Sequence, residues 1–332
     1  MSGDAYARAG VSQGDADAAV ASLVSALAAA APSDSRQVLA SGHYANVVRL
    51  DERTGIALST DGVGTKLVLA EQLGRWDTVG IDCVAMNVND VVCVGAEPLA
   101  MVDYLAVDRA DPEIAGAIGT GLARGAELAG IEIVGGELAQ LGEIVNGLDL
   151  AGACFGTVAL DSLVTGAAIE PGDPVIGLPS SGLHSNGYTL ARSALAEVPM
   201  DDERLGKPLG DVLLEPTEIY VRPIVELLRS EVDVRGLAHI TSGGLGNLLR
   251  LEAEVGYEID DPLPIPQVFN LIQELAGVSD EEMHEVFNMG CGFCVVVAAD
   301  DEDAALGRLR PGYPDARRIG RATGDAGKIV RA

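Results

Sequence analysis

The sequence predicts an α/β (α+β) protein of two domains, and three observations carry that prediction. The chain has 332 residues, about twice the usual single-domain size. One Trp, seven Tyr and four Phe are the only aromatics in a chain that is 48% apolar. Its core must therefore be built from Ala, Val, Leu and Ile, which suits close packing of helices on sheets. Along both halves, strand-like apolar runs alternate with helical patterns.

The first feature is residues 18–31 (AAVASLVSALAAAA), which read as an Ala-rich helix capped near Asp15 or Asp17 and stopped before Pro32. It is shorter than the ~20 residues that span a bilayer, and acidic residues precede it, so neither a membrane span nor a signal peptide is expected. Residues 56–60 form a strand that runs into DGVGTK, followed by helices over 66–73 and 78–94. A strand over 99–107, a helix over 112–129 opened by Pro112, a strand over 131–134 ending in Gly-Gly-Glu and a strand over 148–159 complete this half. The turn-rich segment 161–174 is the expected boundary, giving domains 1–165 and 166–332. The second half reads as a strand over 175–178, the loop SSGLHSNG, a helix from Tyr188, a helix over 217–230, the loop ITSGGLG, a helix over 266–275 and a strand over 293–299.

Charge narrows the function. Fifty Asp and Glu against 22 Lys and Arg give a net charge of −28, and only Lys66, Lys207 and Lys328 are lysines. Such a field repels nucleic acid and anionic membrane, and it suits a high-salt cytoplasm, where screening removes self-repulsion and dense carboxylates keep the protein hydrated. The five cysteines are expected as reduced, buried thiols, with the Cys291-x-x-Cys294 pair serving as small hydrophobes at the entrance of a strand.

The candidate chemistry gathers on three loops. In Thr60-Asp61-Gly62-Val63-Gly64-Thr65-Lys66 a strand ends, two glycines let backbone N–H groups approach an anion, and a helix begins, which is the logic of a phosphate loop without Walker A spacing. Asp61 adds a hard oxygen ligand for Mg2+, and Lys66, a rare lysine here, is placed to contact phosphate. In DCVAMNVND (82–90) helical spacing puts Asp82, Met86 and Asn89 on one face with Asp90 at its flank. Glu137 closes Gly-Gly-Glu after a strand, so Asp61, Asp90 and Glu137 are expected to hold Mg2+ among phosphate oxygens. In the second half, His184 lies in SSGLHSNG and His239 opens HITSGG, settings in which histidine serves as general acid/base or donates to a phosphoryl group.

Taken in order, these motifs resemble the phosphoribosylformylglycinamidine cyclo-ligase family, the aminoimidazole ribonucleotide synthetases. The resemblance runs over nearly the full length: YARAGV (6–11), TDGVGTK through MVDYLAV (60–107), GGE (135–137), SSGLHSNGYTLAR (180–192), LLEPTEIYVRP (213–223), AHITSGGLGNLLR (238–250) and FNMGCGF (287–293). It implies a homodimer whose first domains share a β-barrel, with an α/β second domain outside. It also implies ATP-dependent conversion of formylglycinamidine ribonucleotide to aminoimidazole ribonucleotide. By the same resemblance Asp61, Asp90 and Glu137 are metal ligands, and Gly62, Gly64, Thr65 and Lys66 are nucleotide phosphate contacts. His184, Ser185 and Asn186, with His239, Thr241, Gly243 and Gly244, fall on the substrate and phosphoryl side. The chain departs from the family pattern at Leu138-Ala139-Gln140, where Thr-Ala-Glu is usual, and in the shorter segment before the first strand. The alternatives are a small-molecule kinase of the same superfamily, such as thiamine-phosphate kinase, and a non-catalytic nucleotide-binding scaffold.

Overall fold

A computed structural model of the chain describes residues 13–30, 32 and 34–331; the YARAGV motif lies outside them. In chain order the first-half elements are α1 (Gln13–Ala29), β1 (Asn46–Arg49), β2 (Thr54–Gly62), α2 (Lys66–Leu73), α3 (Val79–Val92), β3 (Glu97–Val107), α4 (Pro112–Ala129), β4 (Glu132–Gln140) and β5 (Leu148–Ala159). The second half holds β6 (Pro174–Pro179), α5 (Tyr188–Ala194), α6 (Leu209–Leu213), α7 (Val221–Leu228), β7 (Val234–His239), β8 (Gly256–Ile259), α8 (Gln267–Ala276), α9 (Asp280–Val286), β9 (Cys291–Val297), α10 (Glu302–Leu309), β10 (Arg317–Thr323) and β11 (Ile329–Arg331).

The strands form two mixed sheets, in the orders β1-β2-β5-β3-β4 and β11-β8-β10-β6-β9-β7. On one face of the first sheet, Ala57, Met101, Leu105, Leu150, Cys154 and Val158 are buried beneath α3 and α4. Those two helices meet closely because Gly80 and Gly121 present bare backbone to each other. Asp111 opens α4 by accepting from the Glu113 and Ile114 amides, with Pro112 at the first helical position, where its missing N–H removes no hydrogen bond. The other face of the sheet is open. Leu58, Phe155, Val102 and Tyr104 are exposed there in adjacent register, Leu58 beside Phe155 and Val102 and Tyr104 beside Ala153 and Ala151.

Two expectations need correction. The strand expected over 131–134 continues to Gln140, because β4 pairs in parallel with β3 through Glu137, opposite Tyr104. Glu137 therefore sits inside an edge strand, not beyond a strand end. The helix expected from Thr217 begins only at Val221, because the Thr217 and Tyr220 amides donate instead to the side chains of Asp82 and Asn89. Cys291 and Cys294 are buried in β9, interior to its sheet, with sulfurs 3.6 Å apart, and all five cysteines are free thiols. Among the described residues no helix is long and apolar enough to cross a membrane.

Candidate active site

Asp61 stands near the C-terminal end of β2, where an amide clamp fixes the strand against α3. Its backbone N–H donates to Asn87 Oδ1 at 3.0 Å, and Asn87 Nδ2 donates back to its carbonyl at 3.1 Å. The Gly62 N–H donates to Asp61 Oδ1 at 2.7 Å. Asn89 and Asp90 follow two and three residues beyond Asn87 on the same helix. Burial, and next the charge of Asp90, push the Asp61 carboxyl up to about 6, against the weaker pull of the Gly62 amide, His239 and Arg250. Two carboxylates thus share one partly desolvated spot.

His239, at the end of β7 in the second sheet, is fully buried and meets Asp90 with Nδ1 2.9 Å from Oδ1. Because Asp90 takes the Nδ1 proton, Nε2 faces Asn89 Nδ2 at 3.5 Å as an acceptor. Asn89 also donates to the Glu218 carbonyl at 2.9 Å and accepts from the Tyr220 amide at 3.0 Å. Side chains of α3 in the first half therefore hold both β7 and the 217–220 segment of the second.

His184 occupies the left-handed backbone region at φ 62°, which strains any residue with a β-carbon. Its ring is completely buried. The Ser181 N–H donates to Nε2 at 3.2 Å, leaving the ring proton on Nδ1, which has no partner among the described residues. Burial, followed by the charges of His239 and Lys66, holds its pKa well below the ordinary histidine value. The neutral ring therefore offers its Nδ1–H as a donor, while its Nε2 lone pair is already engaged by the Ser181 amide.

Lys66 is likewise turned inward. Its ammonium is fully buried and straddles the Asp82 carboxylate at 2.9 and 2.8 Å, while donating to the carbonyls of His184 at 3.2 Å and Glu215 at 2.7 Å. With every donor committed inside the protein, it is not available to a phosphate group, contrary to the expectation from sequence. Thr65 Oγ1 lies 3.2 Å from Thr189 Oγ1, joining the glycine loop after β2 to the start of α5. Ser185 Oγ lies 3.0 Å from Thr217 Oγ1, and Asn186 carries a buried side-chain N–H group with no partner among the described residues.

The turn after β7 is self-contained. The Gly243 amide donates to the Glu285 carbonyl and the Gly244 amide to the Thr241 carbonyl, while Thr241 Oγ1 donates to Asn247 Oδ1 at 3.3 Å. Backbone N–H groups of Gly243 and Gly244 are thus already spent, while the Thr241 hydroxyl keeps oxygen lone pairs to offer a ligand. Glu137 stands apart. The row Asp61, Gly152, Asp103, Gly136 crosses four strands, so β2 and β4 lie three strand spacings, about 14 Å, apart. Glu137, next to Gly136, is exposed and on the opposite face from Asp61. The expected trio of metal ligands does not assemble within one chain, and among the described residues no group of three or more His, Cys, Asp or Glu could hold an ion.

The sequence reading places Asp82 on the candidate helix face but gives no role to Asn87, Thr217 or Arg250. Asp82 shares the helical spacing that pointed to Asn89, and Asn87 belongs to the same DCVAMNVND run. Arg250 gives no local signal: it stacks over Tyr44 at 4.0 Å and donates to the Gly42 and His43 carbonyls, contacts about 200 residues away in sequence.

Comparison with known proteins adds to this geometry. A family model described as AIR synthase related protein, N-terminal domain, matches residues 42–158, and its C-terminal counterpart matches residues 170–332. The chain is similar to proteins named phosphoribosylformylglycinamidine cyclo-ligase. It is 56% identical to that of Methanothermobacter thermautotrophicus over 82% of this chain and 81% of the relative. With the Methanobrevibacter smithii protein it shares 49% identity over 86% of this chain and 85% of the relative. Among solved structures, it resembles the hydrogenase maturation protein HypE in complex with ATP, with TM-score 0.64 and 20% identity over 86% of this chain and 83% of that chain. It also resembles the thiamine-monophosphate kinase of Stenotrophomonas maltophilia, with TM-score 0.62 and 21% identity over 90% of this chain and 92% of that chain. These two likenesses show the fold.

Proposed function

The chain belongs to the AIR synthase related family and, within it, to the phosphoribosylformylglycinamidine cyclo-ligases, and from that membership we propose how its two halves close an imidazole ring. The protein is an ATP-dependent ligase of purine biosynthesis, converting formylglycinamidine ribonucleotide to aminoimidazole ribonucleotide with ADP and phosphate. The γ-phosphoryl group of ATP passes to the formyl-amide oxygen; the amidine nitrogen then attacks that carbon, and phosphate leaves as the ring closes. Such a reaction needs little covalent chemistry from the protein, and positioning with electrostatics does the rest.

The observation that carries the site assignment is the convergence of Asp61 and Asp90 where the two halves meet. Burial and the nearby Asp90 raise the cost of ionising Asp61, and a divalent cation between the two carboxylates relieves it. Two hard oxygen donors, with phosphate oxygens and water completing the shell, match the way Mg2+ is usually held. When bound, Mg2+ supplies charge neutralisation for the triphosphate. We assign Asp61 and Asp90 to the metal, and His239 to orienting Asp90 through its Nδ1–H. Gly62, Gly64 and Thr65 line the phosphate side at the start of α2. Ser185, Asn186 and the Thr241 hydroxyl face the ribonucleotide, with neutral His184 shaping the turn that carries the first two.

The open face of the first sheet supports a homodimer. Leu58, Phe155, Val102 and Tyr104 form a contiguous exposed apolar patch, a feature that marks an association surface, and a second copy closing over it brings two such sheets into one barrel. Glu137 lies on that same face, so any share it takes in the site comes through the dimer. A net charge of −28 supports a cytoplasm rich in salt as the setting for this chemistry.

The test is turnover in molar KCl with ATP, Mg2+ and formylglycinamidine ribonucleotide. Substrate-dependent ADP release with imidazole formation is the expected result; ADP release only with thiamine phosphate, or ATP binding without release, refutes it.

A further inference from the structure

The buried cation–carboxylate pair at the junction of the two halves has no place in the chemistry above. Lys66 and Asp82 both have fully buried side chains, on α2 and α3 of the first half, yet most of their partners belong to the second. The Lys66 ammonium bonds the His184 carbonyl, the carbonyl of the residue whose backbone sits at positive φ. Asp82 Oδ1 accepts from the Thr217 N–H at 2.7 Å and the Thr217 hydroxyl at 2.6 Å.

A hydroxyl has one proton. That of Thr217 goes to the carboxylate, so in the Thr217–Ser185 contact at 3.0 Å the donor is Ser185. Ser185 is half-buried and, with its own proton committed to Thr217, presents only oxygen lone pairs toward the cleft. The chain Lys66, Asp82, Thr217, Ser185 is thus polarised in one sense from end to end. The ammonium faces the Asp82 carboxylate, Asp82 accepts from the Thr217 hydroxyl, and Thr217 accepts from Ser185.

We infer that Lys66, Asp82 and Thr217 are positioning residues that dock the 181–187 loop onto the first half and fix the Ser185 hydroxyl as a hydrogen-bond acceptor toward an N–H group of the substrate. The chemistry selected is an amidine or amide nitrogen over a carbonyl oxygen at that point. The inference rests on Ser185 facing the ribonucleotide, as assigned above. An ion pair in so dry a place adds little net stability, which leaves geometry as what it contributes.

Thr217→Val keeps the shape and the backbone bond to Asp82 but removes both hydroxyl contacts. Expected are a fall in kcat/KM for formylglycinamidine ribonucleotide on the order of 10²-fold, an unchanged KM for ATP, and recovery in Thr217→Ser. A second variant, Lys66→Met with Asp82→Asn, leaves no unpaired buried charge and keeps an oxygen acceptor for Thr217. It is expected to melt cooperatively and bind ATP with Mg2+ while losing ring closure, because the 181–187 loop loses its Lys66 anchor on the His184 carbonyl. Wild-type kcat/KM in folded Thr217→Val, or an equal loss in Thr217→Ser, overturns the inference, as does full activity in the double variant. A wild-type protein that gives no imidazole product overturns the functional assignment instead, so the two failures are distinct.

Discussion

Replacing Asp61 by Asn is expected to make the metal-free protein more stable and the enzyme nearly inert. The carboxyl rises from 3.8 to about 6 on folding, chiefly through burial and the charge of Asp90. A raised carboxyl favours the folded state fully below pH ~4, and that contribution is lost as pH climbs through about 6. By pH 7.5 the ionised group opposes folding by up to about 3 kcal/mol, from roughly two pK units at ~1.4 kcal/mol each. Asn removes that charge and still offers an oxygen to the Gly62 amide, so it recovers part of this. The melting temperature, followed by calorimetry in EDTA at pH 7.5, rises by several degrees; at pH 4 wild type and variant converge. In the same preparation, turnover with ATP and Mg2+ falls at least ~100-fold, since one of two carboxylates that offset polyphosphate charge is gone. A variant less stable than wild type at pH 7.5, or one that retains turnover, refutes the reasoning.

Other outcomes follow from the same geometry. His239→Ala frees Asp90 from its orienting partner, so the affinity for Mg2+-ATP measured by titration calorimetry drops on the order of 10-fold to 100-fold. His184→Ala lowers kcat more than it weakens ATP binding, and the wild-type rate profile between pH 5 and 8 shows no limb from this ring, because burial keeps it neutral throughout; loss of ATP affinity alone contradicts this. Tyr104→Arg, on the open sheet face, is expected to convert the proposed dimer to monomer in sedimentation velocity; an unchanged sedimentation coefficient excludes that face as the contact.

Local signals made the fold legible. The pattern marks the helix over 66–73 to the residue, and Pro112 announces α4, because prolines and apolar period are short-range signals. Asp61 and Asp90 were legible for the same reason: a strand running into Gly-x-Gly and a carboxylate at a helix end are sequence-local. What failed was tertiary. Sequence groups Glu137 with Asp61 because nothing in the chain states that β5 and β3 lie between their strands. It points to Lys66 as a phosphate contact because rarity and a glycine loop are visible in sequence, whereas burial against Asp82 and Glu215, 16 and 149 residues away, is not. The 217–220 segment carries a helical pattern, but two side chains on α3 claim its amides, and a side-chain acceptor outcompetes a helix that has not yet formed its first turn.

With Lys66 sealed inside and Lys207 and Lys328 at the surface, the folded protein shows amine-directed reagents only two of its three lysine side chains. Acylation of the third can proceed only while the halves are parted. Mass-spectrometric timing of that slow modification, with and without nucleotide, would turn one concealed amine into a clock for how often the two halves separate.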